Sequence, residues 1–541
     1  MPFETLLLLS PLFSIRSHAE HGRAPPSNRV FSLRSLRALR EMHWVNVKPS
    51  AKDTEAILVA STSSPGPSLA RRLGLFDVTM LVMGTVIGIG IFATPHTVAA
   101  LVRSPVLVLG AWLVGGLVAL AGSLVYAELT CRRPQVGGQY AFLREAYHPV
   151  VGFAYGWALL WVVQSGGMAS VAVAFSHYFL QLVDFAGRSF LNRQGGLDFM
   201  AHALINFAQY RGASAVVAAV AIGGLTLINC TGVRAASTTQ NIFMTLKILA
   251  ILMLVVCGLA LVQSRQPIVD IHRLGPVPVT LNWPLMVAFG AALVQVFFSY
   301  GGWHTATFMA AEVREPQRTL PRGLVLGVAG VMVLYVAVNF ACLRALGVDQ
   351  LALTEHPASD VMRLAMGDLG AMLISAGITI SALGFLTQGM LTSPRVYYAM
   401  ASDGLFFQSV ARIHPRTQVP VVAIVLQGLF ATVIALSGTF AQIVNYVMSV
   451  DLTFWSLTAL TLFIIRRRDA RAAEPPKISI PGHPLTTLLF VLVNLAVLGS
   501  LFYNDPRNSG IGLAIAAAAV PVYFFWRWWN PLSEARRSAK N

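Results

Sequence analysis

The chain has 541 residues, 55% of them hydrophobic and only 11% charged, with a mean hydropathy of +0.65. A soluble surface needs charge facing water, so this balance excludes an ordinary globular protein and points to a bilayer as solvent. The formal net charge of +16 suggests nucleic acid only until its placement is read: basic residues gather in alternate connections between apolar runs, as the positive-inside rule describes.

Ahead of Arg71 the chain is polar, with Pro25-Pro26, Ser61-Thr62-Ser63-Ser64 and scattered basic residues, and residues 1–70 read as a disordered basic cytoplasmic tail. Leu6 to Leu9 lacks the basic flank of a signal peptide, and Met42 is an alternative start. Asp, Glu, Lys and Arg are then missing from Val78 to Val102, Ser104 to Ala127, Ala146 to Val183 and Gly212 to Val233. They are missing again from Leu274 to Ala311, Gly323 to Leu343, Leu369 to Pro394, Ile478 to Asn504 and Asn508 to Trp526. The run Thr417 to Val450 holds two helices with a turn at Ser437-Gly438-Thr439. A helix from about Thr239 to Val262 containing Lys247, and continuation of the tenth past Asp451 to Ile465, bring the count to about twelve. About 20 helical residues cross the hydrocarbon, and only helices satisfy the backbone there, since the alternation of a membrane barrel is absent.

Arginines occupy one set of connections: Arg71 and Arg72; Arg132, Arg133 and Arg144; Arg234; Arg314, Arg318 and Arg322; Arg395, Arg412 and Arg416; Arg466, Arg467, Arg468 and Arg471; Arg536, Arg537 and Lys540. Both termini are therefore expected to be cytoplasmic. The other connections carry fewer, such as Arg103, Arg344 and Arg507, although Arg188, Arg193 and Arg211 share one longer outer loop. Cys131, Cys230, Cys257 and Cys342 have neither disulfide nor metal spacing.

Two spans carry glycines near mid-membrane. The first reads Met83-Gly84-Thr85-Val86-Ile87-Gly88-Ile89-Gly90-Ile91-Phe92, and the sixth reads Phe298-Ser299-Tyr300-Gly301-Gly302-Trp303. Each glycine weakens a helix by about 1 kcal/mol relative to alanine. Either run alone is also explained by close helix packing. Together, five helices apart, they form the pattern of an inverted repeat whose broken helices hold a substrate on freed backbone groups.

Within the spans the only Asp, Glu, Lys or Arg residues are Lys247 and Asp451. Intramembrane charge marks function by default. Lys247 lies too deep to reach the interface, so its ammonium is expected to meet carbonyls or hydroxyls inside the bundle; a lysine facing an aqueous cavity is the other reading. His304, next to the sixth-span break, and Asp451 are placed to meet a substrate side chain, with packing and structural hydrogen bonding as the competing explanations. His96 and His177 read as structural or interfacial.

On these residues the chain resembles the amino acid-polyamine-organocation superfamily, and within it the L-type and Ala-Ser-Cys-type exchangers and their bacterial relatives. The likeness runs from about Leu73 to Trp529. It rests on the first-span glycines, on Tyr126-Ala127-Glu128-Leu129 with Gly137-Gly138-Gln139-Tyr140, and on Tyr300-Gly301-Gly302-Trp303. Glu312, Pro316, Arg318, Leu320-Pro321-Arg322 and Thr392-Ser393-Pro394-Arg395 add to it.

The resemblance implies an all-α integral membrane fold of the leucine-transporter type, a 5+5 inverted repeat plus two peripheral helices. A ten-helix core would span 71–466, helices 11 and 12 would span 467–530, and 531–541 would be a cytoplasmic tail. By the same resemblance the backbone of Ile87, Gly88, Ile89, Gly90 and Ile91 takes the substrate carboxylate, and carbonyls of both broken spans, around Ser299 and Tyr300 in the sixth, take its ammonium. Phe298 is the aromatic gate and Gly301 leaves room for the side chain. Lys247 stands in for a sodium ion, with Ser381 of the eighth helix as partner. The chain departs from the pattern at Ile89, where many relatives carry serine, and at His304 and Asp451, where neutral polar residues are expected.

The function implied is sodium-independent transport of neutral L-amino acids by alternating access, as an exchanger or a proton-coupled permease in the cell membrane. A cationic amino-acid or polyamine permease using Asp451 is the alternative. An enzyme is disfavoured, because no nucleophile-base pair or H-E-x-x-H lies in the spans, and a sensor lacks a patterned output module. No cofactor, metal or nucleic acid is expected. The outer loop Asp184 to Gly212 has no cysteine, so no disulfide-linked heavy subunit is expected, leaving a monomer or non-covalent homo-oligomer.

Overall fold

The computed structural model describes residues 69, 71–191, 198–210, 212–262, 283–436, 440–470 and 478–529, all within the unit Leu69–Asn541. The N-terminal tail with Met42, the turn at 437–439, Arg193, Arg211 and Arg471, and the C-terminal tail lie outside the described residues. Among the described residues no strand forms beyond an isolated bridge between Leu73 and Val313.

The first span is a pair of half-helices, α1 (Leu75–Val86) and α2 (Gly90–Val102), bent by 43°. α3 (Pro105–Arg132) is the second, and α4 (Gln139–Ala146) a short helix beside it. The third joins α5 (Pro149–Ala158) to α6 (Gln164–Leu191) through a π-helical turn at Leu159–Val163. After α7 (Asp198–Gln209) come α8 (Ala213–Cys230) and α9 (Val233–Ala260), the fourth and fifth. The sixth is α10 (Trp283–Tyr300) followed by a 3-10 stretch, Trp303–Glu312. α11 (Pro316–Leu353) and α12 (Pro357–Thr392) are the seventh and eighth, with the short α13 (Pro394–Ser402) behind them. α14 (Val421–Ala435), α15 (Phe440–Asp469), α16 (Leu485–Asn504), α17 (Pro506–Ala517) and α18 (Ala519–Trp529) complete the order.

Ten helical stretches among the described residues are long and apolar enough to cross a membrane; the bent first pair and the shorter apolar α14 occupy the two remaining positions. The expected count of about twelve follows. Proline opens α3, α5, α11, α12, α13 and α17, where its missing N–H costs nothing and its φ is already helical. α4 is too short to cross a membrane and carries Arg144 and Glu145, whereas α13 continues the eighth span to Ser402.

α3 packs along α11, α9 along α12, and α11 and α12 against α1 and α6 respectively. α16 turns Leu485, Leu488, Leu489, Leu492 and Leu495 outward, an apolar face suited to lipid rather than water. One end of the bundle is tied by ion pairs: Glu128 holds Arg132 and Arg466, and Asp469 holds Arg132 and Arg133. Arg468 donates to the carbonyls of Glu145 and Ala146. These ties draw α15 on to Asp469, past the expected core boundary at 466, which therefore falls inside a helix.

Candidate substrate site

α1 starts where the Gly74 amide donates to the Asp77 carboxylate at 2.9 Å. It ends at Val86, because Ile87 leaves helical geometry with φ −74° and ψ 87°. Gly88 N then donates to Val86 O at 2.8 Å, two residues back rather than four. The first turn of α2 begins at once, and a helix leaves its opening amides without acceptors of its own. Here those are the amides of Ile89, Gly90 and Ile91, at the positive end of a helix dipole.

α10 stops in the same way. Gly301 N reaches Phe298 O at 3.1 Å, Gly302 takes the left-handed conformation at φ 94°, and the chain continues as the tighter 3-10 stretch. Glycine adopts that φ without strain. Neither span is a continuous helix through Gly88 or Gly301.

The two breaks touch. A Cβ on Gly302 would lie 2.8 Å from Thr85 O, and one on Gly90 would lie 2.8 Å from Ser299 Oγ. Side chains from three other spans tie off the freed carbonyls. Lys247 of α9, fully buried, donates from Nζ to Ile87 O at 2.5 Å and to Gly84 O at 3.2 Å. The Tyr335 hydroxyl of α11 lies 2.8 Å from Val86 O and 3.1 Å from Ser299 O, so a single proton serves one carbonyl of each broken span. Ser381 of α12 donates to Gly88 O at 3.4 Å. Gly384, one turn further along α12, leaves room for the lysine, since a Cβ there would meet Lys247 Cε at 2.6 Å.

A cavity lies against both breaks. Of the residues singled out in the sequence, Gly88, Ile89, Gly90, Phe298, Ser299, Gly301, His304 and Asp451 line it. Ile87 and Ile91 are fully buried off its wall. Tyr300 faces away, donating to Trp112 O at 3.1 Å and bordering a second, smaller cavity. Lys247 and Ser381 brace the first break from behind.

Sequence reasoning missed Tyr335, Phe385 and Gln164. The last two line the cavity, and Phe385 was within reach, being four residues beyond Ser381 on the same helix face. Gln164 follows a π-helical turn that no composition signal announces.

A helical bundle whose two broken spans meet over a central cavity is the architecture of a secondary transporter. The sequence matches the amino acid permease family over residues 73–525, and the chain belongs to that family of membrane amino-acid transporters. It is 28% identical to the serine/threonine exchanger SteT of Bacillus subtilis (strain 168) over 465 residues, 84% of this chain and 97% of that one. It is 27% identical to the large neutral amino acids transporter small subunit 2 of Mus musculus over 484 residues, 88% and 85% of the two chains. Against the human Asc-type amino acid transporter 1 it is 27% identical over 474 residues, 86% and 85%.

Proposed function

We propose that the chain exchanges neutral L-amino acids across a cell membrane by alternating access and without sodium, holding the substrate's charged ends at the two breaks. The carboxylate meets the free amides of Ile89, Gly90 and Ile91, and the ammonium meets carbonyls of the first and sixth spans. The carrying observation is Lys247. Its ammonium already donates to Gly84 O and Ile87 O, so a fixed cation does the bracing that a bound sodium ion does when carbonyls converge on it. The names of the relatives, exchangers and neutral amino-acid transporters, agree with this reading.

The arginine-rich end, with both termini, faces the cytoplasm, as the positive-inside rule requires. Without a cysteine in the outer loop 184–212, the chain works without a disulfide-linked subunit. Asp451, buried on the cavity wall, supports a second reading, a cationic amino-acid or polyamine permease. Counterflow in proteoliposomes separates these. Labelled serine or leucine is expected to exchange equally fast in sodium and in choline; uptake rising steeply with sodium, or carriage of arginine and putrescine alone, contradicts the proposal.

A further inference from the structure

We infer that Asp451 and His304 make the far wall of the cavity a hydroxyl-recognising subsite, selecting serine and threonine over their hydroxyl-free counterparts alanine and valine. This rests on the amino-acid transport reading above and sharpens it to a substrate class.

The two residues come from different elements, the 3-10 stretch of the sixth span and α15, and both line the cavity. His304 is 1% exposed, its ring centroid 5.6 Å from that of Trp455, 5.8 Å from Phe308 and 6.0 Å from Tyr126. Inside that aromatic cage neither ring nitrogen has a hydrogen-bond partner among the described residues. Asp451 is 5% exposed and makes no hydrogen bond or ion pair with another described residue. Ser299 and Thr305 on the same wall are already engaged: Ser299 donates to Gln295 O and meets Thr94, and Thr305 donates to Gly302 O and accepts from Gln388. Hydrogen-bonding capacity remains unmet at the imidazole and the carboxylate, as it does at the Tyr126 hydroxyl and Trp455 Nε1 beside the imidazole, and buried polar groups are rarely left without partners.

What fills the gap must answer a carboxyl group, which accepts with or without its proton, and an imidazole that offers one donor and one acceptor when neutral. A hydroxyl does both, with one proton and two lone pairs. A cationic side chain donates only, leaving the imidazole N–H unmet. An aliphatic side chain satisfies neither group, and sites built around a substrate hydroxyl reject analogues lacking it far more strongly than apolar pockets reject an extra methyl.

Threonine and valine differ in shape by almost nothing, so they make the test. In proteoliposomes holding the full chain, threonine exchange is expected to exceed valine exchange in kcat/KM by at least about tenfold. In Asp451→Ala that ratio is expected to fall toward one, whereas His304→Gln, which keeps a donor and an acceptor, retains a preference. Stabilisation of the purified wild-type protein against heat by threonine but not valine supplies a reading that depends on no variant folding. A wild-type ratio near one, with both amino acids carried, overturns the subsite and leaves transport standing. Preference for arginine or putrescine overturns it in favour of a cation, and exchange of no amino acid overturns the transport reading itself.

Discussion

Lys247 and Tyr335 divide between them the carbonyls that the two breaks set free. The lysine serves Gly84 and Ile87 in the first span, and the tyrosine bridges Val86 in the first to Ser299 in the sixth. Removing one hydroxyl strips both carbonyls of that donor in a fully buried site, and a buried group left unmatched costs about 1–3 kcal/mol. Tyr335→Phe is accordingly expected to lower the melting temperature and to slow exchange; a variant that matches the wild type in both would show the bridge to be incidental. Lys247 was legible in the sequence because a lone basic residue inside an apolar run demands an explanation. Tyr335 was not, because a tyrosine in such a run reads as ordinary core. Its role exists only once two spans five helices apart are folded against each other.

The broken helix is the unit in which this sequence writes its site. Gly302 shows why substitution is not tolerated there: at φ 94° any side chain is strained, and a Cβ would stand 2.8 Å from Thr85 O in the opposite break. Strain of this kind costs about 1–3 kcal/mol before the clash is counted, so Gly302→Ala is expected to push the two breaks apart and abolish most exchange. Gly110→Ala on α3, where nothing lies within 4 Å, is the control and is expected to stay within about 0.5 kcal/mol of wild-type stability. Equal behaviour of the two variants in a transport assay would contradict the contact between breaks. The long apolar runs and the paired glycine clusters made the spans and both interruptions readable in advance. The π-helical turn at Leu159–Val163 and the short helices α4 and α13 were not, since each depends on packing against the bundle rather than on composition.

Among the described residues, the most deeply buried ion pairs, Glu128 with Arg132 and Glu312 with Arg395, sit in the arginine-rich connections. At the basic end the N–H groups of Arg72 and Leu73 donate to the Glu312 carbonyl, and the Glu312 carboxylate takes a two-pronged bond from Arg395, with both side chains buried. The segment entering the first span and the segment leaving the sixth are thus clamped together on that side, and a buried pair of this kind is strongly destabilising to break from one partner only. The sequence placed Glu312 and Arg395 among its family-like positions without revealing that they meet, because 83 residues separate them. The central claim is that exposed peptide groups at the two breaks hold both charged ends of a zwitterion. It is tested most directly by the dissociation constants of the purified protein for its best amino acid, for the methyl ester of that amino acid and for its N-acetyl derivative. Each blocked end forfeits charge-assisted hydrogen bonds of about 1.5–3 kcal/mol, so both derivatives are predicted to bind at least about tenfold more weakly; an ester or an acetylated form that binds as tightly as the parent would contradict the account.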